Sequence, residues 1–277
     1  MSSVSRRFGA YTVTLLRDGF FSAPGDVLTH PGGEAAVARA RAGLPLREGQ
    51  PTVAVDVNCF LLRGPSGAML VDAGTGPAWG ANFGHARQAL AGEGVAPDEI
   101  ARVLITHLHG DHALGLVADG AAYFPRAEIL VPDAELAFFT SDAARARTPP
   151  ARRGGFDVTA AVLEAYGDRV RGIPLGDVLP GITALPLPGH TPGHTGYLVA
   201  GEGEGLLIWG DALHVGEVQA PDPDVGVIYD LDPSLAAASR REALTQAARE
   251  GWTVAGGHIT GFQKVAAEGD GFRLTPA

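Results

Sequence analysis

Seven consecutive residues, Thr106-His107-Leu108-His109-Gly110-Asp111-His112, bring three imidazoles and a carboxylate together. Neutral imidazole and carboxylate are the donors that Zn²⁺ and similar divalent ions take, so the chemistry this run suggests is metal binding. A solvated His-rich loop is the plain alternative, but further donors follow downstream. His190 and His194 stand in Pro188-Gly189-His190-Thr191-Pro192-Gly193-His194, Asp211 follows Gly210, and His258 follows Gly256-Gly257. Taken singly, each is a turn, cap or surface residue. One shared site accounts for all of them.

The elements that must position these donors are short apolar strands. Arg102-Val103-Leu104-Ile105 leads into the first cluster, and residues 182–187, 206–209 and 252–255 lead to His190, Asp211 and His258. A strand that ends in a tight, often glycine-bearing loop holds side chains rigidly, as a metal site requires. Other expected strands cover 11–16, 53–62, 68–71, 128–131 and 195–200. Expected helices cover 85–93, 134–140, 158–166 and 233–250, the last capped by Asp232 or Ser234, with a short one at 34–42. Strands, then helices, then strands suit two packed sheets covered by helices. Residues 18–51 and 141–156 read as irregular segments, either binding loops over the site or surface packing.

The chain of 277 residues can bury a sizeable core as one domain, 1–277, with about 18–51 as an N-terminal extension that either caps the site or packs on the surface. Its 45% apolar and 19% charged residues are ordinary for a globular protein. The net charge of −10 argues against binding a phosphate backbone. No apolar run approaches the roughly 18 residues of a membrane span, and no signal-peptide core is evident. The lone Cys59 excludes an intramolecular disulfide framework and reads as a small buried hydrophobe, so a cytoplasmic location is expected.

The ordered set His107-x-His109-x-Asp111-His112, His190, Asp211 and His258 resembles the ligands of the metallo-β-lactamase-fold hydrolases, across about residues 53–260. The resemblance implies an α+β fold, a four-layer αββα sandwich of two mixed sheets flanked by helices, with metals at one edge. It also implies two divalent ions. His107, His109 and His190 would hold one, Asp111, His112 and His258 the other, and Asp211 would bridge them. Zn²⁺ is the default, and sites of this type also accept Mn, Fe, Co or Ni. A hydroxide shared by the metals would attack a carbonyl, and Asp111 would pass a proton to the leaving group. Hydrolysis then needs no Ser or Cys nucleophile, and no Gly-x-Ser-x-Gly motif is present. A carboxylate at Asp211, where some lactamases carry Cys, disfavours lactamase activity. Asp72 resembles the family's buried Asp that orients a ligand His. His194 is expected to pack or hydrogen-bond rather than ligate, and His30 and His85 to be surface or loop residues.

Gly210–His214, Val218-Gln219, Tyr229–Pro233 and Leu16–Phe21 are similar to the subgroup of methyl-parathion-hydrolase-like enzymes and quorum-quenching lactonases. This implies lactone or ester substrates ahead of organophosphates. Many lactonases of the fold place Tyr three residues after the bridging Asp. Here that position is His214, which either donates to a substrate oxygen or merely lines the site. Phe20, Phe21 and Phe138, with Trp79, Phe83 and Phe139, are candidate pocket walls, or ordinary core. Alternatives within the fold are a glyoxalase II-like thioester hydrolase, disfavoured by the lack of a Lys/Arg cluster near the ligand loops, and a mononuclear iron persulfide dioxygenase-like oxygenase. A non-catalytic scaffold is the third. The expected partner is a small-molecule substrate, with no nucleic acid and no membrane; a homodimer stays open, since many relatives are dimers.

Overall fold

The computed structural model describes residues 4–201 and 204–277. Among them, two large mixed sheets face each other. The first has eight strands, with Val4–Phe8, Tyr11–Pro24, Gln50–Gly64, Gly67–Val71, Ile100–Leu104, Glu128–Pro132 and Val170–Ile173 in spatial order and Leu46–Arg47 paired at its side. The second has seven, running Gly176–Leu179, Ile182–Pro186, Thr195–Val199, Leu206–Ile208, Thr253–Ala255, Gln263–Glu268 and Gly271–Pro276. The central joins that lead to the donor loops are parallel: Ile100–Leu104 lies between parallel neighbours, and Leu206–Ile208 runs parallel to Thr253–Ala255. Parallel strands place several loops at the same end of a sheet, and this gathers donors that are far apart in sequence.

Three apolar layers hold the sheets and helices together. Val13, Phe60, Met69, Val71 and Leu104 of the first sheet meet Ile182, Tyr197, Val199 and Ile208 of the second. On the outer face of the first sheet, Leu90 of helix His85–Gly92 and Phe156 and Val162 of helix Gly154–Tyr166 pack over Leu70, Val103 and Ile129. On the outer face of the second, Ala243, Leu244 and Ala247 of helix Pro233–Glu250 cover Leu207 and Val254. These layers form the αββα sandwich. Helix 233–250 starts where its cap chemistry places it: Asp232 accepts from the Leu235 N–H at 3.0 Å, and Pro233 occupies the first turn.

Several boundaries differ from the sequence expectation. The strand that begins at Tyr11 does not stop at Leu16 but runs to Pro24, so residues 18–24 are sheet, not irregular chain, and a strand Val4–Phe8 precedes it. A bulge at Asp18, where the register with Val57 and Asn58 shifts, resets the alternation along the strand. Residues 141–156 are likewise ordered, with helix Asp142–Arg147, a 3₁₀ turn Pro150–Arg152 and the start of helix Gly154–Tyr166. The terminal hairpin Gln263–Glu268 and Gly271–Pro276 was not expected, because its polar residues mask the alternation; it completes the second sheet. No helix among the described residues is long and apolar enough to cross a membrane.

Candidate metal centre

The strand Ile100–Leu104 delivers His107 and His109 to the edge of the sandwich, and one short helix, Gly110–Ala113, adds Asp111 and His112. The second sheet contributes His190 after Ile182–Pro186, Asp211 after Leu206–Ile208 and His258 after Thr253–Ala255. Gly210 makes the last step to Asp211 possible. Its φ is +53°, and a Cβ there would lie 2.6 Å from His194 Nε2.

The seven donors converge. His107 Nε2 and His190 Nε2 lie 3.1 and 3.0 Å from His109 Nδ1. Asp111 Oδ2 lies 3.8 Å from His112 Nε2 and 3.4 Å from His258 Nε2. Asp211 sits between the triplets: Oδ2 is 3.6 Å from His107, 3.3 Å from His190 and 3.0 Å from His258, and Oδ1 is 3.0 Å from His112. Each triplet is spaced to hold a cation, as are His107, His112 and Asp211 together and His190, Asp211 and His214 together.

The far nitrogens decide the tautomers. His112 Nδ1 faces Asp72 Oδ2 at 2.8 Å, His190 Nδ1 faces Asp230 Oδ1 at 2.9 Å, and His258 Nδ1 faces the Asp56 carbonyl at 2.6 Å. The Thr106 hydroxyl donates to Asp72, so it accepts from His107 Nδ1 at 3.1 Å. Each of these four rings therefore carries its proton on Nδ1 and aims the Nε2 lone pair into the cluster. Lone pairs at 3 Å around a carboxylate repel one another unless positive charge lies among them. His112 Nε2 and Asp211 Oδ1 are buried without a hydrogen-bond partner among the described residues, as expected of metal donors. The residues thus fit the divalent cations implied by the sequence.

Electrostatics agree. Burial and neighbouring imidazoles hold His107 and His109 well below the usual histidine pKa, which keeps their lone pairs available. Burial opposes charge on His112 and His258 too, but the carboxylates of Asp211, Asp72 and Asp111 outweigh it and push His112 well up; Asp211 and Asp111 do the same for His258. The cluster calls for cationic charge at that point. Burial acts against ionised Asp211, yet the surrounding imidazoles hold its carboxyl well below the usual range.

The supports are as ordered as the donors. Asp72 holds a left-handed backbone, φ +59°, and accepts from the Thr106 N–H, the Thr106 hydroxyl and His112. His194 donates from Nδ1 to the Leu187 carbonyl and accepts the Asp211 N–H at Nε2. Burial drives its pKa down to about 3, so it stays neutral and positions the Asp211 backbone.

Three supports escaped the sequence reading. Glu135 is fully buried, with one oxygen accepting the Leu108 N–H and the other the Thr191 hydroxyl and Gly193 N–H, so it ties the two His loops together. Asp230 holds His190 and is backed by buried Arg240 at 3.5 Å. Asp18 accepts from the Thr75 N–H and hydroxyl and the Ala86 N–H. The Tyr229–Pro233 run carried a signal for Asp230; nothing local marks Glu135 or Arg240.

A cavity of about 560 Å³ opens on the cluster, and His109, Asp111, His190, Asp211, His214 and His258 face it. Phe21, Trp79 and Phe83 make an aromatic corner, with Trp79 edge-on to Phe83 at 5.6 Å. Of residues 18–51, Phe21 is the one that lines this cavity. Phe20 does not, because past the bulge it faces outward, 54% exposed, with the Arg17 guanidinium over its ring. Phe138 does not either; it packs on Phe139 and Phe156 behind the site.

His214 lines the cavity, in keeping with one of the two roles expected for it. Burial pushes its pKa down to about 4, so it is neutral and has one proton to give. Nε2 lies 3.2 Å from Asp211 Oδ2, and Nδ1 is buried without a partner among the described residues. A proton on Nε2 would face Asp211, and the ring also lines the cavity. His30 and His85 stand apart from the cluster. The His30 ring accepts the Gly32 N–H at Nδ1, so Nε2 is the protonated nitrogen that meets Asp222.

Comparisons with known proteins identify the fold family. The sequence profile described as the metallo-beta-lactamase superfamily matches residues 52–258. An uncharacterized protein of Bacillus subtilis (strain 168), YobT, is 26% identical over 161 residues, 57% of this chain and 63% of that protein. Among solved structures, AbOPH, a hydrolase in the beta lactamase superfamily, is similar over 99% of this chain and 97% of its own, with TM-score 0.88 and 25% identity. AidC, a dizinc quorum-quenching lactonase in complex with a product, is similar over 100% and 97%, with TM-score 0.83 and 21% identity. A probable metal-dependent hydrolase from Staphylococcus aureus is similar over 98% and 99%, with TM-score 0.75 and 20% identity. The chain belongs to the metallo-beta-lactamase superfamily.

Proposed function

We propose that this chain is a binuclear metal-dependent hydrolase of lactones or esters, with Zn²⁺ as the default ion. The observation that carries the reading is the Asp211 carboxylate, buried between two donor triplets with its two oxygens within 3.0–3.6 Å of imidazoles from both. A single ion would leave one triplet of lone pairs uncompensated. Two bound divalent cations would supply Lewis acidity toward a substrate oxygen and hydroxide near neutral pH.

The chain's own residues supply the rest. Asp111 lines the cavity with one oxygen beside His258; its other oxygen is the group that would pass a proton to the leaving alcohol. His214 and His194 fix the Asp211 side chain and backbone, respectively. The aromatic corner of Phe21, Trp79 and Phe83 suits an acyl chain or aryl group and keeps water from that side. The similarity to AidC, a dizinc lactonase, is in keeping with this reading.

The test is metal content by elemental mass spectrometry, with turnover of aryl esters, acyl-homoserine lactones and a phosphotriester on the same sample. About two metals per chain with lactone or ester turnover is expected. About one iron per chain, no hydrolysis and thiol-dependent oxygen uptake would move the chain to the oxygenase class.

A further inference from the structure

The cavity has one cationic wall residue among the described residues. Arg152 closes the 3₁₀ turn Pro150–Arg152 and lines the cavity alongside the apolar Val158 and Leu231. Its NH1 donates to the Asp230 carbonyl at 3.0 Å, and no carboxylate pairs with it among the described residues. The neighbouring Arg153 behaves differently, giving Nε and NH2 to the Thr148 and Ala146 carbonyls, and so staples the loop by itself. Arg152 is thus not needed for that task. Its anchor is the residue whose carboxylate holds His190, which ties the guanidinium to the wall beside the His107, His109 and His190 triplet. Pro149 and Pro150 fix the turn that presents it.

The carboxylates that line the cavity, Asp111 and Asp211, are engaged in the metal cluster. Arg152 is therefore an exposed cation with no carboxylate partner among the described residues, on the wall of a largely apolar cavity in a chain whose net charge is −10. A guanidinium held by one bond presents its remaining N–H groups as a fork that matches a carboxylate. We propose that Arg152 is a specificity-determining residue, and that the substrate is an ester or lactone carrying a second, anionic oxygen group such as a carboxylate, remote from the scissile carbonyl. This inference rests on the hydrolase reading above.

Two measurements on the zinc-loaded protein test it. The first compares mono-4-nitrophenyl esters of adipic, pimelic and suberic acids with 4-nitrophenyl hexanoate, heptanoate and octanoate, which differ by the distal carboxylate. At one chain length or more, kcat/KM should favour the diacid ester by about five- to tenfold, carried in KM and shrinking with added salt. Arg152→Met should bring that ratio toward one, and Arg152→Lys should restore part of it. The second measurement needs no turnover. Binding of the free diacids and monoacids is read through tryptophan fluorescence, since Trp79 lies in the cavity wall. The monoacid gives the metals the same single carboxylate, so a diacid advantage lost in Arg152→Met isolates Arg152.

No diacid advantage at any length in either assay would overturn the proposal. So would an Arg152→Met protein that loses thermal stability and activity on both series equally, which is the signature of a structural staple. Absence of turnover on every ester would instead sink the hydrolase reading, and the binding assay would still decide the role of Arg152.

Discussion

The donor cluster and the cavity wall are built by opposite means. Every ring in the cluster whose far nitrogen is accounted for is locked by an acceptor, the buried Asp72, Asp230 or Thr106 hydroxyl or the part-buried Asp56 carbonyl. The wall comes from a strand end, 3₁₀ turns, loops and the start of helix Gly154–Tyr166, and it is held mainly by packing, as where Trp79 meets Phe83, with Arg152 tied by one hydrogen bond to the Asp230 carbonyl. Geometry in the cluster is thus over-determined, whereas the wall can change shape without disturbing the donors. Reaction type should follow the first region and substrate choice the second.

Substitutions can break this contrast, and the largest effect is expected at its centre. Asp211→Ala should lose at least one metal equivalent and all measurable hydrolysis; wild-type metal content and activity would refute the bridging role. Asp72→Ala and Asp230→Ala should each cost roughly 10- to 100-fold in metal affinity or activity, because each releases a donor ring. They should differ in stability. Asp230→Ala also strands buried Arg240, at an added cost of about 3 kcal/mol or more, read by denaturant unfolding.

Glu135→Gln should destabilise the fold by roughly 1–3 kcal/mol, since an amide cannot accept all three donors that the carboxylate serves. A thermal midpoint equal to wild type would show that the two His loops do not depend on it. In the wall, Trp79→Ala should raise KM for long-chain esters by up to about tenfold while metal content stays at the wild-type value. A loss of metal would show that the wall and cluster are coupled after all. Phe20→Ala should stay within about twofold of wild type on every substrate, because its ring faces away from the cavity.

The legibility of the sequence follows the same division. His107, His109, Asp111 and His112 could be read because one strand end and one short helix bring them together, so their spacing alone carries the chemistry. His190, Asp211 and His258 were readable by their place after apolar strands. The aromatic residues were not. Phe20 and Phe21 are adjacent and chemically identical, and a bulge two residues earlier decides which one reaches the cavity. Phe138 sits on a helix whose apolar face packs on Phe156 rather than on the site, a choice made by the partner helix.

While the αββα sandwich was what the family resemblance implied, the sequence by itself determined the donor residues, their placement after apolar strands and a strand–helix–strand order that suits two packed sheets. These are local properties, fixed by residue type and period. The tertiary structure alone decided which ring nitrogen carries each proton, that Glu135 joins the loop of Leu108 to the loop of Thr191 and Gly193, and that Arg152 faces the cavity while Arg153 does not. Those outcomes depend on what lies across the gap after folding. A buried carboxylate or an unpaired guanidinium has no local signature, because its environment is made by residues distant in sequence.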